Sequence, residues 1–329
     1  MKQDIFIQHI ETIAPLKGAC SWDCSGLQVS STRDVIRTCV VALDLTIDVI
    51  TYALSINADI IITHHPLSLS PLKLHKECSY SPLIRMLYQH NIALYSAHTS
   101  LDATTYSIAG FLANLLSLED IKPIETTRSE YIHSIVIYSP IDRASFESSI
   151  RAQDIEYLSY HQGDSSSIIF IDECYLTPMK EFLHTHNIFY SHSSTEHISR
   201  HFGIGCIGTC RTPLLFDELC SILKKECNIT HARLHGYPPH ELYRIAYCPG
   251  AGSSLISKLH ASSTPVDIYI TGEIKHHDAV YSHIPLLDVG HFALEETMMK
   301  YFSQALQELC RDVLVKMYSN TEPLAYIAL

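Results

Sequence analysis

Short apolar runs that alternate with helix-like segments constrain the fold of this chain more than any other feature. The runs in its first part are 38–44 (TCVVALD), 59–63 (DIIIT) and 92–96 (IALYS), and the helix-like segments are 48–56, 81–91 and 107–116. Such runs are typical of buried strands, and their alternation with helices is typical of βαβ units. The sequence therefore predicts an α/β fold with mostly parallel or mixed sheets.

The last part of the chain has the same texture. It predicts strands at 244–248, 267–271, 286–288 and 313–318, and helices at 254–260 and 292–310. The segments 58–65 (ADIIITHH) and 266–273 (VDIYITGE) are also alike. We therefore expect two related α/β halves, residues 1–125 and 232–329.

The middle of the chain, residues 126–231, is rich in Ser, His and isolated charges. Strands are predicted at 132–138 and 167–171, and helices at 144–153 and 216–227. This composition favours a small α+β insert between the two halves.

Composition excludes several classes of protein. The chain has 23 basic and 35 acidic residues, a net charge of −12 that repels phosphate backbones, so we expect no general nucleic-acid binding. It has no apolar run of about 18 residues, and therefore no predicted membrane span. Acidic residues near the start argue against a signal peptide. The 11 cysteines form no CxxC pair, which favours free thiols and a cytoplasmic location over a disulfide framework.

Polar residues follow the predicted strands closely. His64 and His65 come directly after DIIIT, and Pro66 restricts the backbone of His65 to an extended or turn conformation. Both imidazoles can then meet at the carboxyl edge of the sheet, where ligand sites of open α/β folds lie. A polar turn is the alternative interpretation. Asp102 follows the next strand, with His98 four residues earlier, and its alternative role is a helix cap.

A third group follows the predicted strand 286–288. His291 and Glu295 are four residues apart, so they share a helix face and can grip one metal ion, although a solvated pair gives the same pattern. Gly290 permits a close approach to the preceding turn.

Together these positions predict a metal centre. Its candidate ligands are three histidines and two carboxylates: His64, His65, Asp102, His291 and Glu295. Mixed nitrogen and oxygen ligation suits zinc, iron, manganese or nickel. Five ligands exceed what one catalytic ion needs and fit two ions bridged by a carboxylate. We therefore expect two divalent ions per chain in a unit built from both halves.

Five motifs, in order, resemble the NIF-three-like family, whose members are named GTP cyclohydrolase 1 type 2 homologs. They are SWDCSGLQV (21–29), ITHHPL (62–67), YSAHTSLDA (95–103), ITGEIKHH (270–277) and LLDVGHFALE (286–295). The resemblance implies a dinuclear metal centre with the five ligands above, Asp102 being shared by both ions. It also implies a homohexamer and a middle insert that shorter members lack. Cys24 departs from the Asn of the family's opening motif.

Several other residues are candidates for contacts with substrate or for orienting the ligands. CPGAGSS (248–254) forms a glycine turn that could hold an anion through its amides or be a plain tight turn. The candidate substrate-contacting or ligand-orienting residues are Gly250, Gly252, Thr271, Glu273, His276 and His277. His98 is the candidate catalytic residue, as a proton relay.

Two functions remain open at this point. The first is a cytoplasmic dinuclear-metal hydrolase that acts on a nucleotide or related small molecule, with GTP ring opening implied by the resemblance. The second is a non-catalytic metal-binding, metal-handling or regulatory protein, because the same ligands serve both.

Overall fold

A computed structural model describes residues 1–70 and 76–324. The chain divides into two compact units, the first formed by Met1–Thr127 together with the chain from Phe202 onward, and the second by Arg128–His201. Residues 202–231, which their composition predicts to be part of the insert, thus belong to the first unit. The reason is a long-range pairing that local sequence does not reveal, because the strand Cys206–Leu215 joins a sheet of the first unit.

The first sheet contains the strands that the apolar runs predict. In spatial order it comprises β1 (Gly26–Val29), β4 (Ala93–Ser96), β3 (Ile60–Thr63), β2 (Thr38–Ala42) and β15 (Leu314–Met317). All neighbours are parallel except β1 and β4. Every residue of β3 and β4 is buried, which explains why these strands read as unbroken apolar runs.

The second sheet has the same parallel centre with antiparallel edges. Its spatial order is β11 (Arg233–His235), β14 (Leu286–Asp288), β13 (Ile268–Thr271), β12 (Glu241–Cys248), β10 (Cys206–Leu215) and β5 (Leu118–Lys122). The pairs β12–β13 and β13–β14 are parallel. The fold is thus mixed α/β with mixed sheets. The similar segments 58–65 and 266–273 supply β3 and β13, each with parallel neighbours on both sides.

Nine helices of the first unit cover these sheets. They are α1 (Gln3–Ile13), α2 (Ile47–Ser55), α3 (Ser81–His90), α4 (Thr99–Asp102), α5 (Phe111–Leu115), α8 (Phe216–Cys227), α9 (Ile256–Ala261), α10 (His276–Val280) and α11 (His291–Leu309), counted over the described residues. The largest core cluster joins α1 and α11 to both sheets through residues such as Phe6, Tyr95, Tyr247 and Phe302. One apolar core therefore holds elements from both ends of the chain.

The second unit has its own core. Its strands are β6 (Glu125–Ile137), β7 (Ser159–Gln162), β8 (Ser167–Asp172) and β9 (Tyr190–Ile204), in the spatial order β7-β8-β6-β9. Helices α6 (Arg143–Arg151) and α7 (Glu173–Thr185) complete a βαββαβ sequence, which is a ferredoxin-like arrangement. Ile135, Ile169 and Phe182 are among the buried residues between sheet and helices.

Two other expectations can be compared with the structure. All 11 cysteines lie within the described residues and are free thiols. Over the same residues, no helix combines the length and apolar character that crossing a bilayer requires.

Candidate metal centre

Four histidines and two carboxylates lie together where strands of the two sheets end. His64 and His65 follow β3, His98 precedes α4, and Asp102 is the last residue of α4. His291 is the first residue of α11 and Glu295 lies one turn later. The parallel strands β3, β4 and β14 carry these loops at their carboxyl ends, as the sequence predicts for a site of this fold.

Glu295 is at the centre of the cluster. Its Oε1 is 3.6 Å from Nε2 of His64, and its Oε2 is 3.2 Å from Nε2 of His65 and 2.9 Å from Nε2 of His291. Asp102 Oδ1 is 3.7 Å from the same His64 nitrogen. Among the described residues, two groups have donor atoms within 4.8 Å of one another: His64, His65 and His98, and His65, His291 and Glu295. His65 belongs to both groups, so the two groups are adjacent.

The other nitrogen of each imidazole is held by an oxygen acceptor. The Nδ1 atoms of His64, His65, His98 and His291 donate to Ala97 O, Asp44 Oδ1, Asp23 Oδ1 and Glu273 Oε1, respectively, over 2.8, 2.7, 2.7 and 2.8 Å. Because these oxygens only accept, Nδ1 carries a hydrogen, and in the neutral ring the lone pair is therefore on Nε2. All four rings are therefore oriented as metal ligands usually are, with Nε2 facing the cluster.

With the imidazole rings neutral, several of the facing atoms are buried without a hydrogen-bond partner among the described residues. They are His64 Nε2, Asp102 Oδ1, His291 Nε2 and Glu295 Oε2. A buried polar atom without a partner costs about 1–3 kcal/mol, and more when it is charged. Divalent cations bound among these donors would give them partners. The residues present thus fit a metal ion, by nitrogen and carboxylate donors that suit a transition metal.

The pKa values describe strongly interacting acids and bases. Burial acts to lower the pKa of His65, but hydrogen bonds to Asp44 and Glu295 outweigh it and raise this pKa to about 10. A hydrogen bond to Glu295 is the main cause that raises the pKa of His291 to about 9. Burial raises the pKa of Asp102, whereas the pKa of Glu295 stays well below its usual value because the histidine contacts outweigh burial. In the metal-free chain, protons therefore balance carboxylate charge that a cation would otherwise balance.

The glycine turn after β12 lies against the ligand helix. Gly250 has φ +63°, and a Cβ there would lie 1.9 Å from Glu295 Oε1. Gly252 donates from its amide to Thr271 Oγ1 at 3.0 Å, and a Cβ on it would meet that oxygen at 2.3 Å. Thr271 Oγ1 in turn donates to Gly250 O at 3.2 Å. Glycine is thus required here by close packing beside Glu295.

The remaining predicted site residues separate into two sets. Glu273 lies at the site, where it accepts from Nδ1 of His291. His276 instead lines a cavity of about 210 Å³ with residues that include Arg233 and His235, and His277 is exposed in α10 with its ring against that of His276. Neither histidine belongs to the two donor groups described above.

The sequence patterns do not identify two residues that orient the histidines of the site. Asp44, which ends the apolar run 38–44, orients His65. Asp23, in the opening motif, accepts from His98 Nδ1, from Ser25 Oγ at 2.5 Å, and from the amide and hydroxyl of Thr99 at 3.1 and 2.6 Å. For Asp44, its position in the sequence is a usable signal: it follows β2, which is parallel to β3, so it lies at the same sheet edge as His65.

The fold and the cluster define a mixed α/β protein with a candidate histidine–carboxylate metal site. A sequence model of the Duf34/NIF3 (NGG1p interacting factor 3) family matches residues 1–323, and the chain belongs to this family. The resemblance drawn from the five motifs is thereby confirmed.

Two relatives that match nearly the whole length of this chain carry the same name. A Staphylococcus epidermidis protein called GTP cyclohydrolase 1 type 2 homolog is 29% identical over 364 residues, which cover 98% of this chain and 96% of the relative. A Halalkalibacterium halodurans protein of the same name is 23% identical over 366 residues, covering 98% of each chain. These relatives support the family membership over both units.

Solved structures of related proteins share the fold. A Bacillus cereus protein related to NIF3 superposes with a TM-score of 0.83 at 21% identity, covering 99% of each chain. Staphylococcus aureus protein SA1388 gives a TM-score of 0.76 at 23% identity, again covering 99% of each chain. At these identities the likeness concerns the fold.

Proposed function

We propose that this protein is a metal-dependent hydrolase that acts on a nucleotide or a related small molecule. Its metal centre would hold two divalent ions through His64, His65, Asp102, His291 and Glu295. The observation that carries the proposal is a set of buried donor atoms that face one another where the two sheets end. With the imidazole rings neutral, these atoms have no hydrogen-bond partner in the part of the chain that the structure describes. The name shared by the relatives, GTP cyclohydrolase 1 type 2 homolog, supports a nucleotide substrate.

The chemistry that the ions would supply is activation of water, whose pKa falls from about 15.7 to near 7 on a suitable metal. The chain's own residues would set up this chemistry. Asp44 and Glu273 fix the rings of His65 and His291, so their Nε2 atoms are presented without a reorientation cost. The buried position of Glu295, 4% exposed, keeps competing water away from its carboxylate.

His98 is the proposed proton relay. Its Nδ1 is held by Asp23, and its ring centroid lies 5.2 Å from that of His64. Its donor atom also lies near those of His64 and His65, so His98 is a candidate metal ligand as well. The variant His98→Gln distinguishes the role of proton relay from that of ligand. Full metal content with lost turnover supports the relay, whereas loss of an ion would make His98 a ligand.

Metal analysis tests the proposal directly. Protein purified without chelator should carry about two transition-metal ions per chain, as a bridged hydrolytic centre requires. Asp102→Ala should lose most of the metal, because this carboxylate is proposed to serve both ions. Asp217→Ala, an exposed residue in the first turn of α8, is the matched control and should keep full occupancy.

Turnover is tested next, by comparing wild type and Asp102→Ala on GTP and on a pool of cell metabolites. Consumption of a nucleotide or a related compound by the wild type alone supports the hydrolase. A wild type that holds two ions and converts no compound would contradict it, and would favour a metal-handling or regulatory protein.

We also propose that the chain assembles as a homohexamer, as its resemblance to the family implies. Light scattering coupled to size-exclusion chromatography measures the mass of the particle. A stable monomer at micromolar concentration would overturn this assembly.

A further inference from the structure

The single tryptophan of the chain lies at the surface beside the metal centre. Trp22 is 58% exposed, on the loop between the short 3₁₀ helix Leu16–Gly18 and strand β1. Tryptophan is highly buried on average in folded proteins, and its apolar ring gains free energy when it is covered. An exposed tryptophan next to a site is therefore a candidate for binding a ligand.

The loop that carries Trp22 is firmly held. The neighbouring Asp23 side chain is only 1% exposed and accepts hydrogen bonds from Ser25 Oγ and from the amide and hydroxyl of Thr99. On the other side, the amide of Cys20 donates to the same Thr99 hydroxyl at 2.9 Å. These contacts fix the backbone on both sides of Trp22, so its ring is presented from a preorganised support.

The Trp22 ring is linked to the metal centre by one intervening ring. Its centroid lies 6.0 Å from that of His98, with an angle of 73° between the planes. The His98 ring is in turn 5.2 Å from His64 and 5.8 Å from His65. The edge-on contact with His98 leaves a large part of the indole open to solvent near the proposed ions.

We propose that Trp22 stacks on a flat aromatic heterocycle of the substrate, such as a purine ring, while the metal centre engages the polar atoms of the same molecule. This inference rests on the proposed function and adds to it the class of group that is bound and the residue that binds it. Stacking needs only the π-face that every base has, and no cationic side chain. It therefore suits a chain of net charge −12, which would otherwise repel an anionic nucleotide.

Tryptophan fluorescence measures ligand binding at this position, because Trp22 is the single tryptophan of the chain. The metal-loaded wild type is titrated with GTP and guanosine, and with tripolyphosphate as a probe that lacks a ring. GTP and guanosine should quench Trp22 to saturation, and tripolyphosphate should not. Before ligand is added, acrylamide should quench Trp22 readily in the assembled protein. Shielding from acrylamide would mean that another copy covers the ring, and would overturn the proposal.

Variants measure the contribution of the ring by calorimetric titration with GTP. Trp22→Leu should weaken binding by about 5- to 150-fold, the range expected for one base–aromatic stack, and Trp22→Phe should recover part of the loss. The control is Tyr88→Leu, an equally exposed aromatic, at 59%, near the end of α3. That end leads into the start of β4, at the sheet edge opposite the site. Metal content and particle mass should be unchanged in all three variants.

Failure of this inference can be told apart from failure of the proposed function. Unchanged GTP affinity in Trp22→Leu overturns the stacking role, whatever the chemistry of the site. The absence of quenching by every ring-carrying probe also overturns it. If the wild type and Trp22→Leu then hydrolyse glycerol phosphate equally well, in a metal-dependent reaction, the hydrolase stands without the stacking residue.

Discussion

Oδ1 of Asp44 accepts a hydrogen bond of 2.7 Å from Nδ1 of His65, and this contact leaves Nε2 of His65 facing Oε2 of Glu295 at 3.2 Å. Asp44 is itself positioned by the segment after β15, because Asn320 Nδ2 donates to its carbonyl at 3.2 Å. Asn320 Oδ1 also accepts from the amide of Leu43 at 2.8 Å. The orientation of a ring near the start of the chain thus depends on a residue near its end.

Asp44→Ala should therefore weaken metal binding without removing a ligand. Loss of such an orienting carboxylate typically lowers metal affinity by about 10- to 100-fold. Competition with a chromophoric chelator measures the change. Asp48→Ala, at an exposed position in the first turn of α2, is the control and should bind metal as the wild type does. Equal affinity in the two variants would show that Asp44 does not orient His65.

Two glycines with left-handed backbones provide a matched test of the packing beside Glu295. Replacement of either Gly250 (φ +63°) or Gly236 (φ +77°) by Ala should lower the free energy of unfolding of the protein by about 1–3 kcal/mol, because of backbone strain. Only the Gly250 Cβ would clash with Glu295, since the nearest atom to a Cβ at Gly236 is 3.4 Å away, on Pro285. Metal analysis of both variants should find loss in Gly250→Ala alone. Full metal content in Gly250→Ala would mean that Glu295 can shift without leaving the ions.

The stability of the metal-free protein should depend on Asp23 in a pH-dependent way. Burial acts to raise the pKa of Asp23, but hydrogen bonds from His98, Ser25 and Thr99 outweigh it and hold this pKa well below its usual range. A depressed folded-state pKa stabilises the native state above the unfolded value of about 3.9, and this stabilisation is lost as the pH falls through the folded pKa.

The measurement compares chelated wild type and Asp23→Asn by urea unfolding at about pH 7, 5 and 3. The free energy of unfolding of the variant should be lower at the two higher pH values, and the gap should narrow at the lowest. Asp34→Asn, an exposed aspartate, should show no such trend. A gap that stays constant down to the lowest pH would contradict the depressed pKa.

The central strands and the candidate ligands could be predicted from the sequence because both depend on local patterns. Strands buried on both faces read as unbroken apolar runs, so the predicted strands 59–63 and 286–288 match β3 and β14 to within one residue. Polar residues directly after such strands must lie at the carboxyl edge of the sheet. That rule places His64 and His291 each at the carboxyl edge of its own sheet. Their ligand chemistry and the family resemblance, rather than the strand pattern, assign the two residues to one centre.

Other elements were missed because tertiary context decides them. Helix α7 contains Pro178, which interrupts the helical hydrogen bonds, and local spacing did not reveal it. Strand β9 is largely exposed along its polar stretch, so it lacks the apolar alternation of a predicted strand. The predicted insert, residues 126–231, extends beyond the second unit because β10 pairs with β12 and β5. This pairing between distant parts of the chain has no local sequence signal. The partners Asp44 and Asp23 depend in the same way on how loops meet in space.

Removal of the metal should destabilise the whole first unit, because the proposed ligands come from distant parts of the chain. His64, His65 and Asp102 follow strands near its start, while His291 and Glu295 belong to α11 near its end. Ions that bind only the native state raise the free energy of unfolding by RT ln(1 + [L]/Kd), where [L] is the free metal concentration. At a hundredfold excess of [L] over Kd this is about 2.7 kcal/mol. Chelation should therefore lower the Tm of the wild type clearly.

The variant His291→Ala tests whether this stabilisation needs both ends of the chain. Without one ligand the ions bind more weakly, so chelation should lower its Tm by much less than that of the wild type, as measured by differential scanning calorimetry at fixed protein and metal concentration. The control is His260→Ala, since His260 stacks on His283 and belongs to neither donor group. Its response to chelator should match that of the wild type. An undiminished response in His291→Ala would mean that metal binding does not depend on α11, and the ligand set would have to be sought among His64, His65, His98 and Asp102 alone.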